Sequence, residues 1–111
     1  MPNKIILNTY YIRLPSLNDR NIRRYIKLYL DGNQPQYPPI ETWDVSNITN
    51  MSNLFNNKAE FNEPLNNWDV RNVVNMSRMF NKATSFNQPL NNWKVSANAN
   101  TTNMFRDATA F

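Results

Sequence analysis

Cysteine and histidine are absent from the 111 residues, and glycine occurs once, at Gly32. The first absence removes disulfides, Cys/His zinc sites, thiol nucleophiles and any Ser-His-Asp arrangement. The second removes phosphate-cradling loops of the G-x-G-x-x-G or G-x-x-x-x-G-K type, which need several positions without a Cβ. Long apolar runs are also missing, so no membrane span is expected. The opening stretch "MPNKIILNTYYIRLPSLNDR" has neither the apolar core nor the small-residue cleavage site of a signal peptide. The chain as written is therefore expected to stay in the cytoplasm or in a virion-like setting. Its length allows one domain with a modest core, and its net charge is +4.

What is abundant is asparagine, and its placement is regular because the chain repeats. Trp43, Trp68 and Trp93 lie 25 residues apart. Residues 43–67, "WDVSNITNMSNLFNNKAEFNEPLNN", match 68–92, "WDVRNVVNMSRMFNKATSFNQPLNN", at 15 of 25 positions without a gap. A third copy, "WKVSANANTTNMFRDATAF" (93–111), matches the second at 8 of 19 positions. It carries Asn98 and Thr101 where the others have apolar residues, and Ala97 where they have Asn47 and Asn72. The third coil is thus expected to be the weakest.

Residues 1–42 form a separate N-terminal part. In "SLNDRNIRRYIKLYLDG" (16–32), Ile22, Tyr25, Ile26, Tyr29 and Leu30 share one helical face, and Arg20, Arg23, Arg24, Lys27 and Asp31 lie opposite. The pattern predicts an amphipathic capping helix over about 17–31, N-capped by Ser16 with Asp19 and stopped by a left-handed Gly32. A proline-rich exit follows at 33–39, and "KIILNTYYIRL" is compatible with a short strand.

Within a repeat, Leu65, Trp68 and Val70 are spaced as L-x-x-L-x-L, with Asn72 two residues on. This predicts a short strand with Trp68 and Val70 inward and Asp69 and Arg71 outward. Asn47 and Asn72 are then expected to be buried and to bond the backbone as the chain leaves the strand. Val73, Met76, Met79 and Phe80 change period and predict one or two helical turns. Each coil would be strand, short helix and return loop, giving an α/β solenoid, a right-handed leucine-rich-repeat-like coil with an N-terminal helical cap.

These repeats resemble the 25-residue W-D-V-x-N-x-x-N-M-S repeat of BspA-like leucine-rich-repeat surface proteins, in the form abundant in wall-less bacteria. The likeness covers about 43–111. It implies a solenoid used for adhesion or protein interaction, with no catalytic residues to carry over.

Three sites compete. On the expected strand face, Asp44, Ser46, Asp69, Arg71, Lys94 and Ser96 form outward rows that would meet a protein or glycan partner. The adjacent Asp44 and Asp69 lack the ligand-rich loop that a calcium site requires, so no metal and no cofactor are expected. At the end of the third coil, Met104, Phe105 and Phe111 would form an apolar docking edge. That edge implies either that 1–111 belongs to a longer repeat protein or that another chain covers it. Arg20, Arg23, Arg24 and Lys27 would suit nucleic-acid phosphates, the third reading, though a solvated helix face explains them as well. Enzymatic activity is not expected.

Overall fold

A computed structural model describes residues 11–111. The amphipathic stretch is helical over α1, Ile22–Leu28, continues as a wider turn over Tyr29–Asn33, and passes through short 3-10 turns at Gln34–Gln36 and Ile40–Thr42. α1 starts later than the sequence pattern suggests. Ser16 does not cap it; the Asn18 side-chain oxygen accepts the N–H groups of Arg20 and Asn21, each at 2.9 Å. Asp19 is engaged elsewhere, as shown below. Gly32 ends the helical run at φ 102°, a conformation that strains any residue carrying a Cβ. The expected strand at "KIILNTYYIRL" falls largely outside the described residues.

The three 25-residue coils stack, but they are not built as strand plus helix. Among the described residues there is no strand, only isolated parallel bridges joining Asn50 to Asn75 and Asn75 to Asn100. The α/β solenoid expectation is overturned on both halves of its unit. Around Trp68, tight turns close on either side: Trp68 N–H bonds the Leu65 carbonyl at 3.0 Å and Val73 N–H bonds the Val70 carbonyl at 3.0 Å. Only a short extended piece remains between them. The links to neighbouring coils here are made by side chains, such as Asn72 Nδ2 to the Ser46 carbonyl at 2.8 Å and Asn92 N–H to Asn66 Oδ1 at 2.9 Å. At this position no backbone ladder joins the coils, hence no strand forms here.

The predicted helical turns are a ribbon of overlapping β-turns. In the second coil the N–H groups of Met79, Asn81 and Ala83 bond the carbonyls three residues back, of Met76, Arg78 and Phe80. The alternate N–H groups, of Met76, Arg78, Phe80 and Lys82, reach across to the carbonyls of Asn100, Thr102, Met104 and Arg106 at 2.7–3.0 Å. The first coil repeats this: Met51, Asn53, Phe55 and Asn57 donate to Asn75, Ser77, Met79 and Asn81. A helix would keep those donors for itself. Left-handed residues make the alternation possible, with positive φ at Asn53, Asn57, Arg78, Lys82, Asn103 and Asp107.

Apolar side chains fill the interior of the stack. Trp68, Val70, Met76, Met79, Phe80 and Phe86 are buried in the second coil, as are their counterparts in the first. Two phenylalanine columns run through it. Phe55, Phe80 and Phe105 are spaced 5.5 and 5.4 Å apart; Phe61, Phe86 and Phe111 are spaced 5.9 and 5.7 Å apart. The indoles of the second and third coils each donate to a carbonyl 28 residues back, Trp68 Nε1 to Ile40 and Trp93 Nε1 to Leu65, both at 2.8 Å, whereas Trp43 Nε1 donates to the nearer Pro38 carbonyl at 3.0 Å.

Candidate interaction site

On the polar face the two acids are engaged within their own turns, whereas Lys94 is exposed and makes no side-chain bond among the described residues. The Asp44 carboxylate accepts both the N–H (3.0 Å) and the hydroxyl (2.6 Å) of Ser46. Those bonds hold its carboxyl below the usual range, against burial and the nearby Asp69 charge. Asp69 is likewise lowered by Arg71, whose guanidinium lies 2.9 Å away. Each acid therefore closes a turn of its own coil. A shallow groove of about 320 Å³ runs past Asp69, Arg71, Asn92 and Lys94, so the structure brings these residues together. Ser46 and Ser96 are half-buried. Asn47 and Asn72 are exposed rather than buried, although Asn72 does bond backbone, at the Ser46 carbonyl. The asparagines that close turns within the coils are Asn50, Asn75 and Asn100, whose Oδ1 atoms accept the N–H groups of Ser52, Ser77 and Thr102 at 2.9–3.0 Å. Among the described residues no group of three His, Cys, Asp or Glu side chains could hold a metal ion.

Of the basic helix face, one residue is spent on the stack itself. Arg23 donates to the carbonyl of Ser52 at 2.6 Å and to that of Asn50 at 3.3 Å. These are first-coil carbonyls equivalent to those that receive backbone N–H groups in the second and third coils. Asp19 supplies the opposite chemistry. Its carboxylate accepts the N–H groups of Thr49 (2.8 Å) and Asn50 (3.1 Å) and the Thr49 hydroxyl (2.6 Å). In the next coil the corresponding donors, Val74 and Asn75, bond the Thr49 carbonyl. Slight burial raises the Asp19 pKa, but the Thr49 and Asn50 bonds, helped by Arg23, outweigh it and hold it below the ordinary value. Lys27 pairs with Asp31 at 2.7 Å, leaving Arg20 and Arg24 as the exposed cations of this face without a side-chain bond among the described residues. Tyr29 fastens the helix to the first coil by donating to Glu63 Oε1 at 2.6 Å; burial and then Glu63 push its hydroxyl pKa upward.

The opposite face is apolar. Leu90, Trp93, Val95, Thr101, Met104, Phe105 and Phe111 line a hollow of about 410 Å³. Val95 is 44% exposed, whereas Val45 and Val70 in the same repeat position are 1% exposed. Phe111 is 52% exposed against 0% for Phe86. Of the docking-edge residues named from the sequence, Met104 lies beneath this surface while Phe105 and Phe111 form it. Leu90, Trp93 and Val95 complete it and were not among the residues named. Comparing each repeat position across the copies was the signal that would have found them.

No helix among the described residues is long and apolar enough to cross a membrane. No curated protein and no solved structure matches the chain. The family described as Mycoplasma protein of unknown function, DUF285, matches over residues 26–111, from the middle of α1 through all three coils. With well over half of its length matched, the chain belongs to the DUF285 family.

Proposed function

We propose that the chain is a non-enzymatic protein-interaction module whose contact is made by the apolar face of its third coil. One observation carries this reading: Val95 and Phe111 are exposed on a face whose counterparts in the coils before it are core. A contiguous apolar surface of this kind marks a site of protein association. The polar face with Asp44, Asp69 and Arg71 is the weaker choice, because its charges are satisfied within their own turns. The W-D-V-x-N-x-x-N-M-S likeness to BspA-like surface repeats, used in adhesion, supports an interaction role. So does the lack of histidine and cysteine, which takes the commonest general bases and thiol nucleophiles out of the sequence.

The test is selection of ligands for residues 1–111 from a displayed peptide library, followed by mapping through amide exchange. Selected ligands are expected to protect residues 90–111 and to lose at least about tenfold in affinity on Phe105→Asp, as at a buried aromatic anchor. Phe111→Asp, at a more exposed position, guards against a folding defect. Ligands that map to 66–71 or to α1, and that ignore both substitutions, would overturn the proposal.

A further inference from the structure

The second coil departs from its neighbours at two outward positions. Residues 53, 78 and 103 form one row of the turn ribbon and residues 57, 82 and 107 another, and all six have positive φ. A short polar side chain suits that conformation because it can bond the local backbone. The first and third coils comply, with Asn53, Asn57, Asn103 and Asp107. The second coil instead holds Arg78 at φ 55° and Lys82 at φ 62°. Neither side chain offsets the strain through a contact within the fold. Both are exposed, and among the described residues neither makes a side-chain hydrogen bond or an ion pair. Strained residues of this kind concentrate where side chains are held out for a ligand.

The charge around them has one predominant sign. Over 50–60, 75–85 and 100–110 the ribbon also carries Lys58, exposed and without an ion pair among the described residues, and Arg106, which turns toward Asp107 at 4.0 Å. Glu60 and Asp107 are the acids of these stretches. α1 continues the edge, since Lys27, itself paired with Asp31, lines a groove of about 340 Å³ together with Asn53 and Lys58. The tryptophan-bearing edge reverses the balance, with Glu41, Asp44, Glu63 and Asp69 against Arg71 and Lys94. Residues 1–10 contain no Asp or Glu to neutralise the ribbon. Arg78 and Lys82 themselves belong to the middle coil, bonded through its turn edge to a neighbour on each side.

Unpaired cations flanked by the carboxamides of Asn53, Asn57 and Asn103 suit a phosphate chain bound by its charge. The exposed large apolar side chains, Tyr11, Ile12, Val74, Val95 and Phe111, all fall outside the three ribbon stretches. The edge therefore offers neither a ring on which single-stranded bases stack nor an apolar anchor for a lipid surface. A duplex needs neither, because it presents one charge per about 1.7 Å of its axis. We infer that the ribbon edge is a second contact surface, separate from the apolar face, that binds the phosphate backbone of duplex nucleic acid without regard to sequence, with Arg78 and Lys82 at its centre and Lys58 beside them.

The repeat supplies the test variants. Arg78→Asn and Lys82→Asn place the first coil's residues in the same two rows, so the double variant should melt no lower than the parent chain. Fluorescence anisotropy with a labelled duplex of about 25 base pairs, between about 50 and 200 mM salt, reads the binding. Duplexes of unrelated sequence should bind alike. The double variant should bind at least about tenfold more weakly at the low-salt end, with a salt slope shallower by about two. Lys94→Asn, which removes an exposed and unbonded cation from the opposite edge, should stay within about twofold. No binding by the parent at low salt, or equal binding by the double variant, overturns the inference. So does an equal loss in Lys94→Asn, which would reduce the effect to net charge. A lower melting temperature of the double variant overturns it too, because Arg78 and Lys82 would then serve the fold. Tighter binding to vesicles of anionic phospholipid than to the duplex would remove nucleic acid as the ligand.

Discussion

Replacing Arg23 with methionine probes how the stack begins. Methionine keeps an unbranched stem over Ile26 and Leu54 but removes both guanidinium bonds to the first-coil carbonyls of Asn50 and Ser52. A hydrogen bond from a charged group contributes about 1.5–3 kcal/mol net where it is well shielded. Arg23 is exposed, and only the 2.6 Å bond to Ser52 is short, so the second bond is discounted heavily for solvent. The sum is a loss of about 2 kcal/mol. For a domain of this size that corresponds to a fall in Tm of roughly 6–12 °C. Urea unfolding of the Arg23→Met chain, beside Arg24→Met as a control on the neighbouring exposed position, gives the difference directly. Arg24 makes no side-chain bond among the described residues, and its change should stay within about 0.5 kcal/mol. A double-mutant cycle with Asp19→Asn should show coupling, because both side chains stand in for the same missing coil. Equal stability of Arg23→Met and Arg24→Met would refute the capping argument and return Arg23 to the solvated face.

Trp68→Phe retains most of the buried ring but strips the indole N–H from the buried Ile40 carbonyl, so calorimetry should record a loss of about 1–3 kcal/mol. Asp19 has a folded-state pKa below its ordinary 3.8. Its contribution is therefore fully present above the unfolded value and lost as pH falls through the folded one. A pH–stability profile should show an acid-side decline below about pH 4 that flattens in Asp19→Asn. Asn81 donates to Asn56 Oδ1 at 3.0 Å, but its own buried Oδ1 has no partner, because Arg106, the next residue in that row, directs its guanidinium toward Asp107 at 4.0 Å. Arg106→Asn should extend the asparagine ladder and stabilise the chain by about 1 kcal/mol in urea titration. An unchanged midpoint would show that Asn81 is satisfied some other way.

The repeat, its phase and the inward Trp68 and Val70 were legible in the sequence, since a 25-residue identity pattern and an apolar alternation survive whatever backbone carries them. The backbone itself was not. Met76, Met79, Phe80 and Ala83 recur at i, i+3, i+4, i+7, the signature of a helix. Overlapping four-residue turns, every other one with a left-handed residue at its third position, yield the same spacing. Arg78 and Lys82 occupy those positions, and neither announces positive φ. The paired Asn53 and Asn57 in the first coil were the available clue, because asparagine tolerates that region best among residues with a Cβ. The role of Arg23 was hidden for a different reason: a helix face opposite the apolar stripe reads as solvated, and only the third dimension shows that first-coil carbonyls lie beneath it.

Those six left-handed positions bear on the unfolded chain as much as on the folded one. Most proteins would place glycine there, and this one uses it nowhere in the ribbon. A side chain held at positive φ costs roughly 1–2 kcal/mol in the native state, least for asparagine and aspartate. A glycine in the same place would widen the denatured ensemble, an entropic penalty of about 0.4–1 kcal/mol that a residue with a Cβ avoids. The two effects oppose each other and come close to cancelling at Asn53, Asn57, Asn103 and Asp107. Arg78 and Lys82, without the short polar side chain that eases the conformation, leave a net strain in the second coil. That coil is bonded through its turn edge on both sides, to the first and to the third. The least relaxed turns of the chain thus lie where two neighbours hold them in place.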